Sequence, residues 1–237
     1  MSRDLRLGRL VVAAAQAPSV HNTQLWRFDV ADEEFVRLFA DRERQLRVCD
    51  PRGRSLHISC GAALFDLRLA AGGHPEVRLL PEPEDEPDLL ATVRLGPHAR
   101  PEHRDLCHLV RERRTNRQPF ADRRIPPAVL AALRTAAAGE GTGFEAHPQL
   151  AVLTTRGDGP LDWLRAGQAL QRLLLVATGH GLSAFFLNQP LDLRDMRGRS
   201  DPRDRRAHSQ MIIRLGYVPP VPRTPRRPVT ELELTHA

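Results

Sequence analysis

The sequence contains no lysine; all 35 of its Lys+Arg residues are arginine. Only 5% of its residues are aromatic, and it has three cysteines. No apolar run approaches the roughly 18 residues of a membrane-spanning helix. Each scarcity removes a class of function. Dispersed arginines with few aromatics between them do not make the interleaved basic stripe of a nucleic-acid binder. Cys49, Cys60 and Cys107 are odd in number and far apart, so they frame no disulfide scaffold and fit a reducing, cytoplasmic setting. His57 with Cys60 and Cys107 with His108 are each half of a metal-ligand spacing, but no second pair completes either, and no metal is expected. A nucleophile elbow, a phosphate-binding glycine loop and a dinucleotide glycine fingerprint are also missing.

What is present is a foldable chain of 237 residues, 41% hydrophobic, with net charge +6 and a pI near 10.6. The length suits one large or two small domains. The charge favours anionic partners, and an all-arginine complement suits phosphates, which the guanidinium fork matches with two parallel hydrogen bonds. The opening "MSRDLRLGRLVVAAAQA" imitates a signal peptide. Its uninterrupted apolar run, Leu10 to Ala15, is shorter than the roughly 7 to 15 residues such a peptide needs. The spacing of Leu5, Val12 and Ala15 predicts an amphipathic helix instead, over residues 4 to 16, stopped by Ala17-Pro18.

Further along, "WRFDVADEEFVRLFAD" alternates and predicts a hairpin. "LHISCGAALFDLRLAAGG" predicts a helix, with Ser55 as its cap and Gly72-Gly73 as its stop. "PEVRLLPEPEDEPDLL" reads as an acidic surface segment and "LATVRLG" as a strand. "LCHLVRERRTNRQPF" predicts a helix breaking near Asn116, which would put Arg113 and Arg117 on one face. "IPPAVLAALRTAAAGEG" predicts a helix with proline at its start and glycine after its end. "QLAVLTT" and "QMIIRLG" predict strands on either side of a long apolar helix in "GDGPLDWLRAGQALQRLLLVATGHG". "MRGRSDPRDRRAHS" reads as a charged loop, and "YVPPVPRTPRRPV" as an extended arm.

Two of these segments match. Gly61 aligns with Gly167, Ala63-Leu64 with Ala169-Leu170, and Gly73-His74 with Gly179-His180, and each copy leads into a strand ending Arg-Leu-Gly. The pattern predicts a duplication, helix then irregular segment then strand, whose copies pack as the halves of a symmetric dimer would.

Three polar groupings could carry chemistry. "RERRTNR" places Arg113, Arg114 and Arg117 around Thr115, a set that suits one phosphate or, equally in kind, a solvated helix end. "PRTPRRP" adds Arg226 and Arg227 on the arm. "PSVHNTQ" offers Ser19, Asn22 and Gln24 on an irregular loop, with a second amide pair at Asn188-Gln189. A flavin needs such company: arginine for its phosphate, amides for its ribityl chain and ring edge, apolar cover for its face.

"APSVHNTQLWRF", "SCGAALFDLRLA", "RRTNRQPF", "DWLRAGQALQRLLLVATGHGLSAFFLNQP" and "TPRRPV", in that order, closely resemble the Acg-type branch of the nitroreductase superfamily. The resemblance implies an α+β, nitroreductase-like fold with two such halves fused in one chain, residues 1–105 and 106–237. It implies FMN as cofactor, with NAD(P)H and an electron-poor acceptor such as a nitroaromatic or quinone as partners. By position, Arg113, Arg114, Thr115 and Arg117 are similar to the superfamily's phosphate- and ribityl-binding opening, joined by Arg226 and Arg227. Leu187, Asn188 and Gln189 match the segment beside the flavin ring. Pro18, Ser19, Asn22 and Gln24 match the contribution that a second subunit makes. His21 receives no role, and no acid, base or nucleophile is implied, since the flavin carries the chemistry.

The sequence departs from the family's pattern at three places. Leu25 stands where the family has proline. The first half has no Arg-Arg-Thr opening, so one FMN site per chain is expected. Only "AHPQ" lies between "LAALRTAAAGEGTGFE" and "LAVLTT", where the family has a long central stretch, so the second half is internally shortened. That loss predicts an open flavin face and exposed apolar surface on the helices around Ala128 to Ala138 and Leu170 to Val176, which a homodimer would cover. It also keeps a second reading alive, an FMN-binding or FMN-sequestering protein without turnover.

Overall fold

The computed structural model describes residues 3–30, 34–72, 75–96, 104–147, 149–196 and 207–234. Two sheets carry it. Helix α1 (Arg3–Ala14) is followed by the hairpin β1 (Trp26–Asp29) and β2 (Phe35–Ala40), helix α2 (Arg54–Ala71), and strands β3 (Glu76–Leu79) and β4 (Leu89–Arg94). After the single turns α3 (Arg104–Cys107) and α4 (Leu109–Glu112) the same series returns. It runs α5 (Pro127–Ala138), β5 (Gly143–Ala146), β6 (Leu150–Thr155), α6 (Pro160–Gly179), β7 (Ser183–Phe186), α7 (Gln189–Met196) and β8 (His208–Gly216).

Both sheets are antiparallel and four-stranded, and their orders, β1-β2-β4-β3 and β5-β6-β8-β7, are the same. Even the irregularity repeats. The register of β2 on β4 shifts between Leu38 and Phe39, and that of β6 on β8 between Leu153 and Thr154. The fold is therefore α+β in two like halves, as the duplicated helix-to-strand pattern predicts.

Helices α2 and α6 join the halves. Both are surrounded: every residue of α2 from Arg54 to Leu67 is buried, and so is α6 from Trp163 to Leu175 apart from Arg165 and Arg172. Each contributes a glycine at the crossing. A Cβ on Gly61 would lie 2.2 Å from the carbonyl oxygen of Leu164, and one on Gly167 would lie 2.1 Å from that of Ile58. The contact is reciprocal, each glycine against the residue three before the other, as across a two-fold axis. Gly61 and Gly167 are thus equivalent in space as in sequence. Gly61→Ala should force the helices apart at the price of roughly 1 to 3 kcal/mol of overpacking strain. Thermal denaturation should show this as a lowered Tm, at about 2 to 4 °C per kcal/mol for a chain of this size.

Each half has its own core. The first gathers Trp26, Phe28, Leu38, Leu64, Leu67 and Leu90; the second gathers Leu133, Leu153, Trp163, Leu173 and Ile213. A third cluster, Phe65 and Leu69 with Leu106, Leu109 and Leu175, lays the α3–α4 turns against both central helices. The proline-rich arm then crosses back to the first sheet. Phe28 N–H donates to the Leu232 carbonyl at 2.7 Å, and Leu234 N–H to that of Phe28 at 2.9 Å.

Several expectations need correction. Ser55 does not cap α2: Gly53 holds the cap position, in left-handed geometry, and the Asp50 carboxylate accepts from Ser55 N–H and Leu56 N–H at 3.0 and 2.8 Å. Asp50 offers two acceptor oxygens and serves two N–H groups, where a single hydroxyl would serve one. The helix expected to reach Asn116 ends at Glu112, and Arg113 is already extended (φ −55°, ψ 130°), so Arg113 and Arg117 share no helical face. Strands β3, β5 and β7 and helix α7 lie where no regular structure was expected; β3, β5 and β7 are edge or near-edge pieces of four residues each, too short for a period to show. The expected exposed apolar surface is absent on α6, where Leu170 and Leu173 to Leu175 are buried, and is present only in part on α5, where Ala128, Ala131 and Ala138 are exposed while Leu133, Ala136 and Ala137 are buried. Gly73-His74 and residues 197–206 of the charged loop lie outside the described residues.

Candidate functional site

The loop after α1 holds three of the four described non-glycine residues with positive φ. His21, Asn22 and Gln24 all have positive φ, at 46°, 59° and 51°. Asparagine tolerates this region; histidine and glutamine do so at a cost, and such strain persists only where the surroundings enforce it. Here they do. The Ser19 hydroxyl accepts from Gln24 N–H at 2.9 Å, and Val20 N–H donates to Ser59 Oγ on α2 at 3.1 Å. Pro18 is buried beneath the loop.

The C-terminal arm grips the same loop from a sequence distance of about two hundred residues. Arg226 donates to Asn22 Oδ1 at 3.0 Å and to the carbonyls of Gln16 and Ala17 at 3.0 and 3.3 Å. Asn22 Nδ2 donates back to the Pro225 carbonyl. Arg227 N–H donates to Gln24 Oε1 at 2.8 Å, and its guanidinium reaches the Gln24 carbonyl, Asp41 and Glu231. Gln24 is thereby held from both ends and buried. Arg227 is compensated by two carboxylates, which makes it a tie for the arm.

The third strand of the site is the extended segment after α4. Arg113 turns inward, almost fully buried, and donates to Thr115 Oγ1 and to the Gln16 carbonyl, each at 3.3 Å. Thr115 lies in a parallel bridge with Ala184 of β7, and Asn116 N–H donates to the Ala184 carbonyl at 2.9 Å. Buried Asn116 also donates to the Pro219 carbonyl at 2.8 Å, so the segment is fixed on both sides. Arg114 folds back onto the carbonyls of Arg111 and Arg113.

Ser19, Asn22, Gln24, Arg113, Arg114, Thr115, Arg226 and Arg227 therefore come together, with the Gln16 carbonyl as the point where Arg113 and Arg226 meet. Arg117 does not join them; it is exposed. Leu187, Asn188 and Gln189 follow directly on β7. Asn188 is spent on fastening α7, its Oδ1 accepting from Ile212 N–H at 3.0 Å and its Nδ2 directed at Met211 Sδ. Leu187 and Gln189 remain exposed.

The electrostatics are lopsided. Burial pushes the Arg113 guanidinium down to about 10, with Arg226 and Arg114 pushing the same way and Asp66 opposing. Burial also lowers Arg226, again with Arg114 adding to it and Asp66 opposing. Among the described residues, Asp66, fully buried on α2, is the carboxylate that opposes both shifts, and burial drives its own pKa up to about 8. In addition, Nε of Arg113 and Nε of Arg226 are buried without any hydrogen-bond partner. The two guanidiniums meet at the Gln16 carbonyl, and each keeps one donor without a partner.

The duplicated position in the other half is resolved differently. Glu140 follows α5 as Gln16 follows α1, each two residues past the helix end. Its carboxylate, nearly buried, pairs with Arg68 at 2.7 Å and Arg172 at 3.1 Å. There a protein carboxylate neutralises the guanidiniums, whereas at Gln16 the hydrogen bonds that Arg113 and Arg226 make across the site go to carbonyl and hydroxyl oxygens. Sequence reasoning missed Asp66, Gln171 and Glu140. The signal for Asp66 was an acid in the middle of "GAALFDLRLA", a helix with no polar face to carry it.

No family model matches the chain. A Mycobacterium tuberculosis protein named "Putative NAD(P)H nitroreductase Rv3131" is 26% identical over an alignment of 310 positions, covering 94% of this chain and 89% of that one. The alignment is longer than this chain of 237 residues, so the relative carries segments with no counterpart here, as an internally shortened chain requires. The protein of the same organism named "Putative NAD(P)H nitroreductase acg" is 38% identical over 117 residues, 47% of this chain and 35% of that one. Among solved structures, a nitroreductase with bound FMN from Bacteroides fragilis covers 56% of this chain and 99% of its own, at 13% identity and a TM-score of 0.41.

Proposed function

We propose that this chain, which is similar to Mycobacterium tuberculosis proteins named putative NAD(P)H nitroreductases, holds one FMN and works as an NAD(P)H-dependent oxidoreductase of nitroreductase type. The observation that carries the reading is the pair of buried, unpartnered Nε donors on Arg113 and Arg226, joined by Arg114 within electrostatic reach. A phosphate monoester supplies the oxygens and the negative charge that this donor set lacks. Thr115 and the amides of the loop at Asn22 and Gln24 stand next to it, where a ribityl chain needs donors and acceptors. Arg227 and Asn188 support the reading as fasteners: one fixes the arm that brings Arg226, the other fixes α7 behind Leu187 and Gln189, which would border the ring. Arg117, exposed, has the weakest claim to the phosphate.

When bound, the flavin supplies hydride acceptance from a nicotinamide and electron delivery to an electron-poor acceptor such as a nitroaromatic or quinone. The chain's part is to anchor the phosphate, orient the ring edge and exclude water from one face. Residues 1–105 and 106–237 act as two intertwined halves of one site, the first lending its strained loop to the arginines of the second. Because Glu140 already neutralises Arg68 and Arg172 on the other side, one site per chain is expected. Titrating apo-protein with FMN by fluorescence quenching should end at one equivalent; two would sink the asymmetry argument.

The shortened segment between β5 and β6 favours a second reading, an FMN-binding protein without turnover. Anaerobic addition of NADH or NADPH separates them. Bleaching of the bound flavin supports the oxidoreductase. A bound flavin that stays oxidised with both nicotinamides supports the binding protein.

A further inference from the structure

Beside the inner arginine pair stands a second pair built on the same plan. Arg113, from the segment after α4, and Arg226, from the arm, both donate to the Gln16 carbonyl, at 3.3 and 3.0 Å. One residue on in the segment and three back along the arm, Arg114 and Arg223 both donate to the Arg111 carbonyl, at 2.7 and 2.8 Å. Arg114 Nη1 also reaches the Arg113 carbonyl at 2.8 Å, which ties the outer pair to the inner one. A helix leaves its last carbonyls without intrahelical partners, and one cationic side chain is enough to satisfy such an oxygen. Helix α4 ends at Glu112, yet the oxygen of Arg111 holds two guanidiniums, so two like charges meet across a single atom.

Nothing in the protein offsets them. Among the described residues, Arg111, Arg114 and Arg223 form no ion pair with any carboxylate, and Nε of Arg114 and of Arg223 donates to no protein group. Arg227, on the same arm, has both Asp41 and Glu231. The two pairs also differ in access. Arg113 is almost fully buried, whereas Arg223 is exposed and Arg114 half-buried. The inner pair suits an anion that stays, and the outer pair one that arrives from solvent and leaves again.

We propose that Arg114 and Arg223 form an outer anion subsite, which takes a phosphoryl group of the nicotinamide nucleotide while the FMN phosphate occupies Arg113 and Arg226. The assignment rests on the reading of the chain as an FMN-bearing, NAD(P)H-dependent protein. Of the molecules which that reading brings to the site, FMN has one phosphate, already placed, and a nitroaromatic or quinone has none. The nicotinamide nucleotide is the one with anionic groups left to place. Two of its groups have the chemistry: the diphosphate bridge, common to NADH and NADPH, and the 2′-phosphate of NADPH alone. A guanidinium fork matches either with parallel hydrogen bonds. Being exposed, the pair attracts an approaching anion but is screened by water and salt, so its effect on affinity is modest.

Calorimetric titration of FMN-loaded wild type and Arg223→Ala with adenosine, 5′-ADP and adenosine 2′,5′-bisphosphate tests this without turnover. Adenosine stands for base and sugar alone, ADP for the bridge, and the bisphosphate for the 2′-phosphate end. Wild type should bind at least one phosphorylated probe about tenfold more tightly than adenosine. Arg223→Ala should still hold FMN, lose about three- to tenfold in affinity for that probe, and bind adenosine as before. A loss with ADP, alone or with the bisphosphate, assigns the bridge. A loss confined to the bisphosphate assigns the 2′-phosphate, and with it NADPH over NADH. Phosphorylated probes that bind no better than adenosine, or no more weakly to Arg223→Ala, overturn the subsite and leave the FMN reading standing. Recovery of flavin fluorescence during the titration would place the probe on the inner pair and overturns the subsite too. Wild type that binds no FMN overturns that reading, and this assignment with it.

Discussion

Arg113→Ala should lower FMN affinity by one to two decades and leave riboflavin affinity nearly unchanged. The size comes from a charge-assisted hydrogen bond, worth about 1.5 to 3 kcal/mol, at roughly 1.4 kcal/mol per decade. The selectivity comes from the chemistry, since riboflavin is the same ring and ribityl chain without phosphate. Arg226→Ala should resemble it in FMN affinity and differ in one respect. Arg226 also holds Asn22 and the carbonyls of Gln16 and Ala17, so its loss frees a strained loop as well as a phosphate contact, and riboflavin should weaken somewhat too. Arg117→Ala, at an exposed position, should change neither ligand by more than a few-fold. Fluorescence titration of three variants with two ligands decides the matter. Equal losses of FMN and riboflavin in Arg113→Ala would make Arg113 a structural strut between Thr115 and Gln16, and would leave its orphaned Nε without a ligand.

The contrast between Arg113 and Arg117 shows how far the sequence carries. The spacing put both on one helical face, because "LVRERRTNR" has nothing that stops a helix before Asn116. The helix stops at Glu112 because tertiary pairing takes over: Thr115 and Asn116 are claimed by Ala184 on β7 and by Pro219 beyond β8. No local pattern records such partners. The duplication was legible because it rests on glycines, and a glycine needed for a close helix crossing leaves a mark at the same place in both copies. The union of the loop at Ser19 to Gln24 with the arm at Arg226 was legible only through family resemblance, since nothing in either segment announces the other. Asp66 could have been flagged by the misplacement of an acid in an apolar helix, but its partner Gln171 depends on how α2 and α6 cross.

A second large effect is expected far from the arginine pair, at Arg54. This side chain has no exposed surface, and it binds three groups: Asp195, the Gln210 carbonyl at 2.7 Å, and Asp192 at 3.2 Å. It begins α2 in the first half, and its partners lie on α7 and β8 in the second. Arg54→Ala leaves Asp195 buried, with Arg194 at 3.1 Å and Arg52 at 3.8 Å as what remains. Breaking a buried pair from one side costs about 3 to 5 kcal/mol, a large part of the roughly 5 to 15 kcal/mol that holds a typical domain. Denaturant titration should show a loss of that order.

The double variant Arg54→Leu with Asp195→Leu should recover most of the loss, because desolvating two charges cancels much of what their attraction returns. It should not recover everything. Asp192 also loses its bond to Arg54, and α7 would then be held by apolar contact, which fixes no register. Flavin affinity should therefore stay lowered in the double variant even where stability returns, since Leu187 and Gln189 ride on the start of that helix. Full recovery of both would mean that the ion pair places nothing and that α7 docks through Asn188 and Leu191 alone.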